Sequence, residues 1–390
     1  MIKYQFPNNL TINSGAGAVT FNGTVGNVGA VGNLSLASTN GTTTINTNLV
    51  ATTGAQSYSN PVTVSQAATL RGSSVTTSST MGASANALTI TTDAISIGGV
   101  LSGTSSLVIQ PLTASTTIGL NTGTGSLSLD ATEISRLSGF SSVTIGSTNG
   151  TGTINVAGST NIGNSTILRA DSAAICITGA MNITGSLNVS TTGTTTISGG
   201  TVTTTGTQTY TGPVTLGAAT TLNGTTVHTQ STVAGGAYDL TIAGNANIAG
   251  VISNLGNYSV SGTTTLGSNV SGSGNQTYTG LVTLSGGDRA ISAGNNITLT
   301  AGAASATALA LNLTSTSGGV TSPGAIALSG GSLNIDQGGT STIAGVISGS
   351  GAVSKSGAGT LTLNGSNTFS GGVTLNAGTL SLGSNGAIGT

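Results

Sequence analysis

Seven acids, six bases and one histidine carry all the ionic chemistry this 390-residue chain could perform. The acids are Asp93, Asp130, Glu133, Asp171, Asp239, Asp288 and Asp336, and the bases are Lys3, Arg71, Arg136, Arg169, Arg289 and Lys355. Glycoside hydrolysis needs two carboxylates facing one bond, and polysaccharide lyases gather Asp, Lys and Arg around a metal. These acids are far apart in sequence, so no catalytic, cofactor-binding or metal-binding set is expected and the chain reads as a non-enzyme. His228 is the only histidine, which leaves no His-based triad and no multi-histidine metal site. No Gly-Gly-x-Gly-x-Asp repeat is present, so calcium is not expected. Cys176 has no internal disulfide partner; within the run AICI at 174–177 it reads as a small core hydrophobe. Asp288 beside Arg289, and Arg169 near Asp171, read as solvated turn charges.

The elements that would position these residues follow from the rest of the composition. Charged residues are 3% and aromatics 3%, Gly contributes 64 residues, and Pro only 5. Disorder needs low hydrophobicity and high net charge, whereas mean hydropathy here is +0.29 and net charge −1. Apolar residues alternate with Ser and Thr, as in Leu34-Ser35-Leu36, Leu127-Ser128-Leu129 and Leu361-Thr362-Leu363. Period-2 alternation marks half-buried strands, and the Gly, Asn and Ser between them mark turns. Near-neutrality and scattered bases predict no nucleic-acid partner, and no run approaches a membrane helix, so no membrane insertion is expected. The opening MIKYQFP lacks the apolar run of a signal peptide. If the protein is exported, the signal is expected outside this chain, which then reads as a fragment. One stretch departs from the pattern: Asp130 followed by Glu133 resembles a helix N-cap with an acidic third position, and Gly139 a C-cap. A one- to two-turn helix or bulged loop is expected there, as a capped excursion between coils.

A long-range duplication organises the chain as a single solenoid over 1–390. Gln56, Tyr58, Pro61, Val62, Thr63, Leu70 and Val75 recur as Gln208, Tyr210, Pro213, Val214, Thr215, Leu222 and Val227. The duplicated segments are 52–109 and 204–262, with a looser third copy at 274–350. A one-residue slip separates the later parts of the first two copies, which a solenoid absorbs in a turn. The duplicate of His228 is Thr76, so an ordinary surface strand position is expected for the histidine. At roughly 20 residues per coil the chain makes roughly 18–20 coils. Parallel crossovers are right-handed, so the expected fold is an all-β, right-handed parallel β-helix with Val, Ile and Leu inside, Thr and Ser ladders outside, and stacked Asn in turns.

The last segment, 345–390, contains KSGAGTLTL from Lys355, NTFSGG from Asn367 and NAGTL from Asn376. These runs resemble the autotransporter-associated β-strand repeat. The remainder, with its Gln-x-Tyr blocks and the stretch from Leu107 to Gly158, resembles filamentous-haemagglutinin-like exoproteins. The resemblance implies a passenger segment of a Gram-negative surface protein: a structural or adhesive rod, extracellular, whose partner would be a surface, a glycan, a matrix ligand or a like rod. Two other readings are a carbohydrate-active β-helix enzyme and a Thr-rich ice- or crystal-binding face. The latter is prompted by the Thr triplets at 42–44, 203–205 and 263–265, although their spacing along the sequence is irregular.

Overall fold

A three-residue strand between tight turns buries its first and last side chains and turns the middle one outward. Ile175–Ile177 follows that rule, with Ile175 and Ile177 buried and Cys176 half-exposed. The computed structural model describes residues 8–27, 29–38 and 40–390. Lys3 and the MIKYQFP run lie outside them. The chain is an all-β parallel β-solenoid of about 19 turns, in agreement with the expected count. It comprises two units, Met1–Gly199 with Thr204–Gly206, and Gly200–Thr203 with Thr207–Thr390. Partners in successive coils are mostly 18 to 24 residues apart, and farther apart at one place, where Leu107 pairs with Val143.

In the first unit a coil consists of Ala55–Tyr58, Val62–Val64 and Ala68–Arg71. The next coil repeats them as Ser74–Thr77, Met81–Gly82 and Leu88–Thr91, each parallel to its counterpart. Inward positions stack as rows, such as Leu34, Gln56 and Val75, all buried. Each fully buried aliphatic side chain contributes roughly 1.5–3 kcal/mol of transfer free energy. A chain with so few charges is thus held by rows of Leu, Ile and Val crossed by backbone ladders.

The second unit has the same three-faced coil. Tyr258–Val260, Thr264–Leu266 and Val270–Gly272 are followed by Gln276–Tyr278, Val282–Leu284 and Arg289–Ala293. The slip between copies falls at a corner. Leu88–Thr91 and Ala94–Ile97 are separate strands, whereas Leu240–Ile248 runs through the corner, with Gly244 at φ +149° absorbing the missing residue.

Among the described residues the coil order is broken once, in the first unit. Ile118–Asn121 pairs with both Leu127–Leu129 and Ile154–Ala157, so it lies between two strands that follow it in sequence. The chain then enters helix α1 (Ala131–Ser135) before resuming at Leu137–Ser138. Asp130 caps α1 as expected: its side chain accepts from Glu133 N, and Glu133 accepts from Asp130 N, a reciprocal capping box. The C-cap is Arg136, not Gly139. Leu137 must pair with Leu101, so the helix ends before Gly139 can cap it.

Candidate functional site

The Gln-x-Tyr blocks that mark the duplication are interior plugs. Gln56, Gln208 and Gln276 lie at or next to the start of their strands and point inward, fully buried. The Gln56 amide nitrogen donates to Val50 O (2.9 Å) and, one coil on, to Arg71 O (2.8 Å). Gln208 repeats this with Val202 O and Asn223 O, both at 2.9 Å, and Gln276 donates to Ser292 O. Each glutamine oxygen accepts from the tyrosine two residues on, at 2.8, 2.9 and 3.0 Å for Tyr58, Tyr210 and Tyr278. Burial pushes all three phenols above their ordinary pKa. The residues satisfy one another and the corner carbonyls, so the motif that looks most like a binding signature leaves nothing for a ligand. Within the second unit Gln208 and Gln276 occupy different faces. The sequence repeat therefore carries the plug, not the phase of the coil.

The segment resembling the autotransporter repeat is built the same way. Lys355 points into the coil between Ile335 and Leu375, and its side chain is fully buried. Its ammonium donates to Ser356 O (2.6 Å), Gly357 O (2.7 Å) and Ala377 O (3.2 Å). Burial lowers its pKa, opposed by the charge of Asp336. Gly378 has φ +73°, and a Cβ there would lie 2.9 Å from the Lys355 nitrogen and 2.4 Å from Gly359 O. That explains the glycine of NAGTL. Asn367 is buried where the coil lacks a third strand; it accepts from Ile347 N (2.7 Å) and donates to Ala387 O (2.6 Å). Phe369 fills the adjacent interior.

The remaining charges are spent mainly on backbone. Asp93 accepts from Leu112 N, Thr113 N and the hydroxyls of Thr113 and Thr116, at 2.6–3.0 Å. Burial works to raise its pKa, and these bonds outweigh it and hold the carboxyl below its ordinary value. At the break in coil order, Ile97 N donates to Glu133 (2.9 Å) and Ile97 O accepts from the Arg136 guanidinium. Asp288 and Arg289 each bind backbone: Asp288 accepts from Ala310 N (2.8 Å), and Arg289 clasps Ser285 O (2.5 and 2.9 Å). The closest acids in sequence, Asp130 and Glu133, are thus consumed by a helix cap rather than facing a substrate. Among the described residues no group of three or more His, Cys, Asp or Glu could hold a metal ion. His228 sits half-exposed in a strand between Thr209 and Asn247, the ordinary position its duplicate Thr76 suggested. Cys176 is a correction: it faces outward between Asn155 and Thr196, because the apolar run around it hides the alternation that buries only Ile175 and Ile177.

What the sequence alone did not reveal is on the outer surface of the second unit. One outward position per coil aligns as Thr201, Thr221, Thr241, Ser259, Thr277, Thr298, Thr321, Thr342, Thr362 and Ser381. Every member of the row bears a β-hydroxyl. Beside it runs an amide ladder in which Asn257 N donates to Asp239, Asn275 N to Asn257 and Asn296 N to Asn275, at 2.6, 2.9 and 3.1 Å. The ladder bears out the expected Asn stacking. Its signal was present as GNYSVSG, GNQTYTG and NNITLTA, whose shared pattern is visible only once the coils are in register.

Residues 353–382 match the model of the passenger-associated-transport-repeat family. No curated protein and no solved structure matches the chain. The match lies inside the segment 345–390 that carried the resemblance, and it supports an autotransporter passenger. No helix among the described residues is long and apolar enough to cross a membrane.

Proposed function

We propose that this chain is a structural and adhesive segment of an autotransporter passenger, displayed outside a Gram-negative cell. One observation carries the reading: the passenger repeat is not an appendage but part of the solenoid, its strand Val353–Ser356 laddered onto Leu333–Gln337. The Gln-x-Tyr plugs and most charges among the described residues are committed to backbone or to one another, which supports a structural role over catalysis. What remains for a partner is an outer surface made mostly of Thr, Ser and Asn, suited to a glycan, a matrix component or another rod. Such contacts are individually weak and gain from repetition. The test is adsorption of the purified chain to cells, extracellular matrix and itself, compared with an unrelated β-helix of equal length. Binding clearly above that comparator is expected. Equal adsorption removes the adhesive role and leaves a spacer.

A further inference from the structure

We infer that the first unit binds a sugar in a corner cleft walled by Asn60. The cleft lies at the corner between Ala55–Tyr58 and Val62–Val64 and reaches into both neighbouring coils. Ser38, Thr42, Asn60, Pro61 and Ser79 are among the residues lining its volume of about 330 Å³. Sites for small molecules run upward from roughly 300 Å³, so the cleft suits a small ligand or one unit of a longer chain. Asn60 is 3% exposed. Its Oδ1 accepts from Ser38 N of the preceding coil at 3.1 Å, whereas its Nδ2 is buried with no partner among the described residues. An unpaired donor enclosed beside a cleft is the mark of a missing acceptor.

The fold itself does not ask for this amide. Asn367 shows what a corner asparagine does when it serves the coil stack: it accepts from Ile347 N on one side and donates to Ala387 O on the other. Asn60 makes only the accepting half of that bridge. In the second copy its place is taken by Gly212, followed by Pro213 and the strand Val214–Leu216, so the same corner closes with no side chain at all. The lining chooses the ligand. No Asp, Glu, Lys, Arg or His lines the cleft, which leaves an ionic ligand without a counter-charge. The Ser38 hydroxyl is already paired with that of Ser14 (2.5 Å). Thr42 is exposed and Ser79 half-buried, and their hydroxyls both donate and accept. The exposed Pro61 ring supplies an apolar edge. A sugar matches this set: it is neutral, carries several hydroxyls around one ring, offers an oxygen to the Asn60 amide and turns C–H groups toward proline.

The inference rests on the adhesive reading and narrows its partner to a glycan. Its test uses the full chain, with the methyl glycosides of glucose, galactose, mannose and N-acetylglucosamine as probes in saturation-transfer NMR, beside adsorption to extracellular matrix. Wild type should transfer saturation to at least one glycoside. Asn60→Gly, which installs the residue the second copy carries, should weaken that binding by about tenfold, the worth of one hydrogen bond to a buried group. Thr42→Tyr, which crowds the cleft and leaves Asn60 in place, should weaken it as much. Thr283→Tyr, at an exposed position of the second unit, should match wild type. If protease resistance shows Asn60→Gly to be misfolded, Thr42→Tyr decides alone. The inference is overturned if no glycoside binds wild type, if binding survives Thr42→Tyr, or if Thr283→Tyr loses as much. A crystal soaked with the glycosides that holds only an ordered water on Asn60 Nδ2 overturns it as well. Matrix adsorption above that of an unrelated β-helix, together with no glycoside binding, sinks the sugar site and spares the adhesive reading; adsorption equal to the comparator sinks that reading itself.

Discussion

At the scale of single residues, the Gln-x-Tyr plugs are fully buried and fully bonded, whereas the equally buried Gln337 amide and Tyr258 hydroxyl have no partner among the described residues. The Gln208 side chain satisfies two carbonyls and one phenol at a corner. Replacing it with Leu leaves those groups buried without partners, each costing about 1–3 kcal/mol. Gln208→Leu is therefore expected to destabilise the second unit by several times more than Thr209→Val, its outward neighbour, in denaturant unfolding. Lys355 gives a second prediction: amine acylation of the native protein should spare it, and unfolding should expose it, as read by mass spectrometry. Rapid native labelling would contradict its burial. Asp93 gives a third. Its folded pKa is depressed, so its contribution is present above the unfolded value of about 3.9 and lost as pH falls through the folded value. Amide exchange at Leu112 and Thr113, corrected for intrinsic rate, should accelerate below about pH 4, and Asp93→Asn should show the faster exchange at neutral pH.

At the scale of elements, strand existence was legible and strand order was not. Period-2 alternation locates Leu88–Thr91 or Thr360–Leu363 directly, because one face of every strand must be buried. Nothing local announces that Ile118–Asn121 lies beyond Leu127–Leu129, since each reads as an ordinary strand and only the ladders decide their order. The helix was legible because its cap uses side-chain chemistry, Asp130 and Glu133, that has a sequence signature. Its end was not, because the demand of Leu137 for a partner is tertiary. Glu133 also bonds Ile97 at the end of a strand. Glu133→Ala should thus cost about 1–3 kcal/mol through the lost cap and the lost bond together. It should speed exchange of the Ile97 amide while leaving the second unit unaffected. Unchanged exchange at Ile97 would separate the helix from the ladder.

At the scale of the whole molecule, the duplication pointed to modularity but hid its phase. Gln-x-Tyr blocks recur wherever a corner needs plugging, and the two in the second unit sit on different faces. Coils of unequal length, mostly 18 to 24 residues, make outward rows invisible in the linear sequence, so the hydroxyl row was missed. The family signal was legible because Lys355, Asn367 and Gly378 each have a role few other residues can fill. The central claim is that this solenoid is passenger material, and display tests it most directly. The chain would be fused between a signal peptide and an outer-membrane β-barrel in a Gram-negative host, and external protease applied to intact cells. The account predicts that the chain reaches the surface and persists there as a protease-resistant folded segment. Retention in the periplasm, or surface arrival followed by digestion to short peptides, would contradict it.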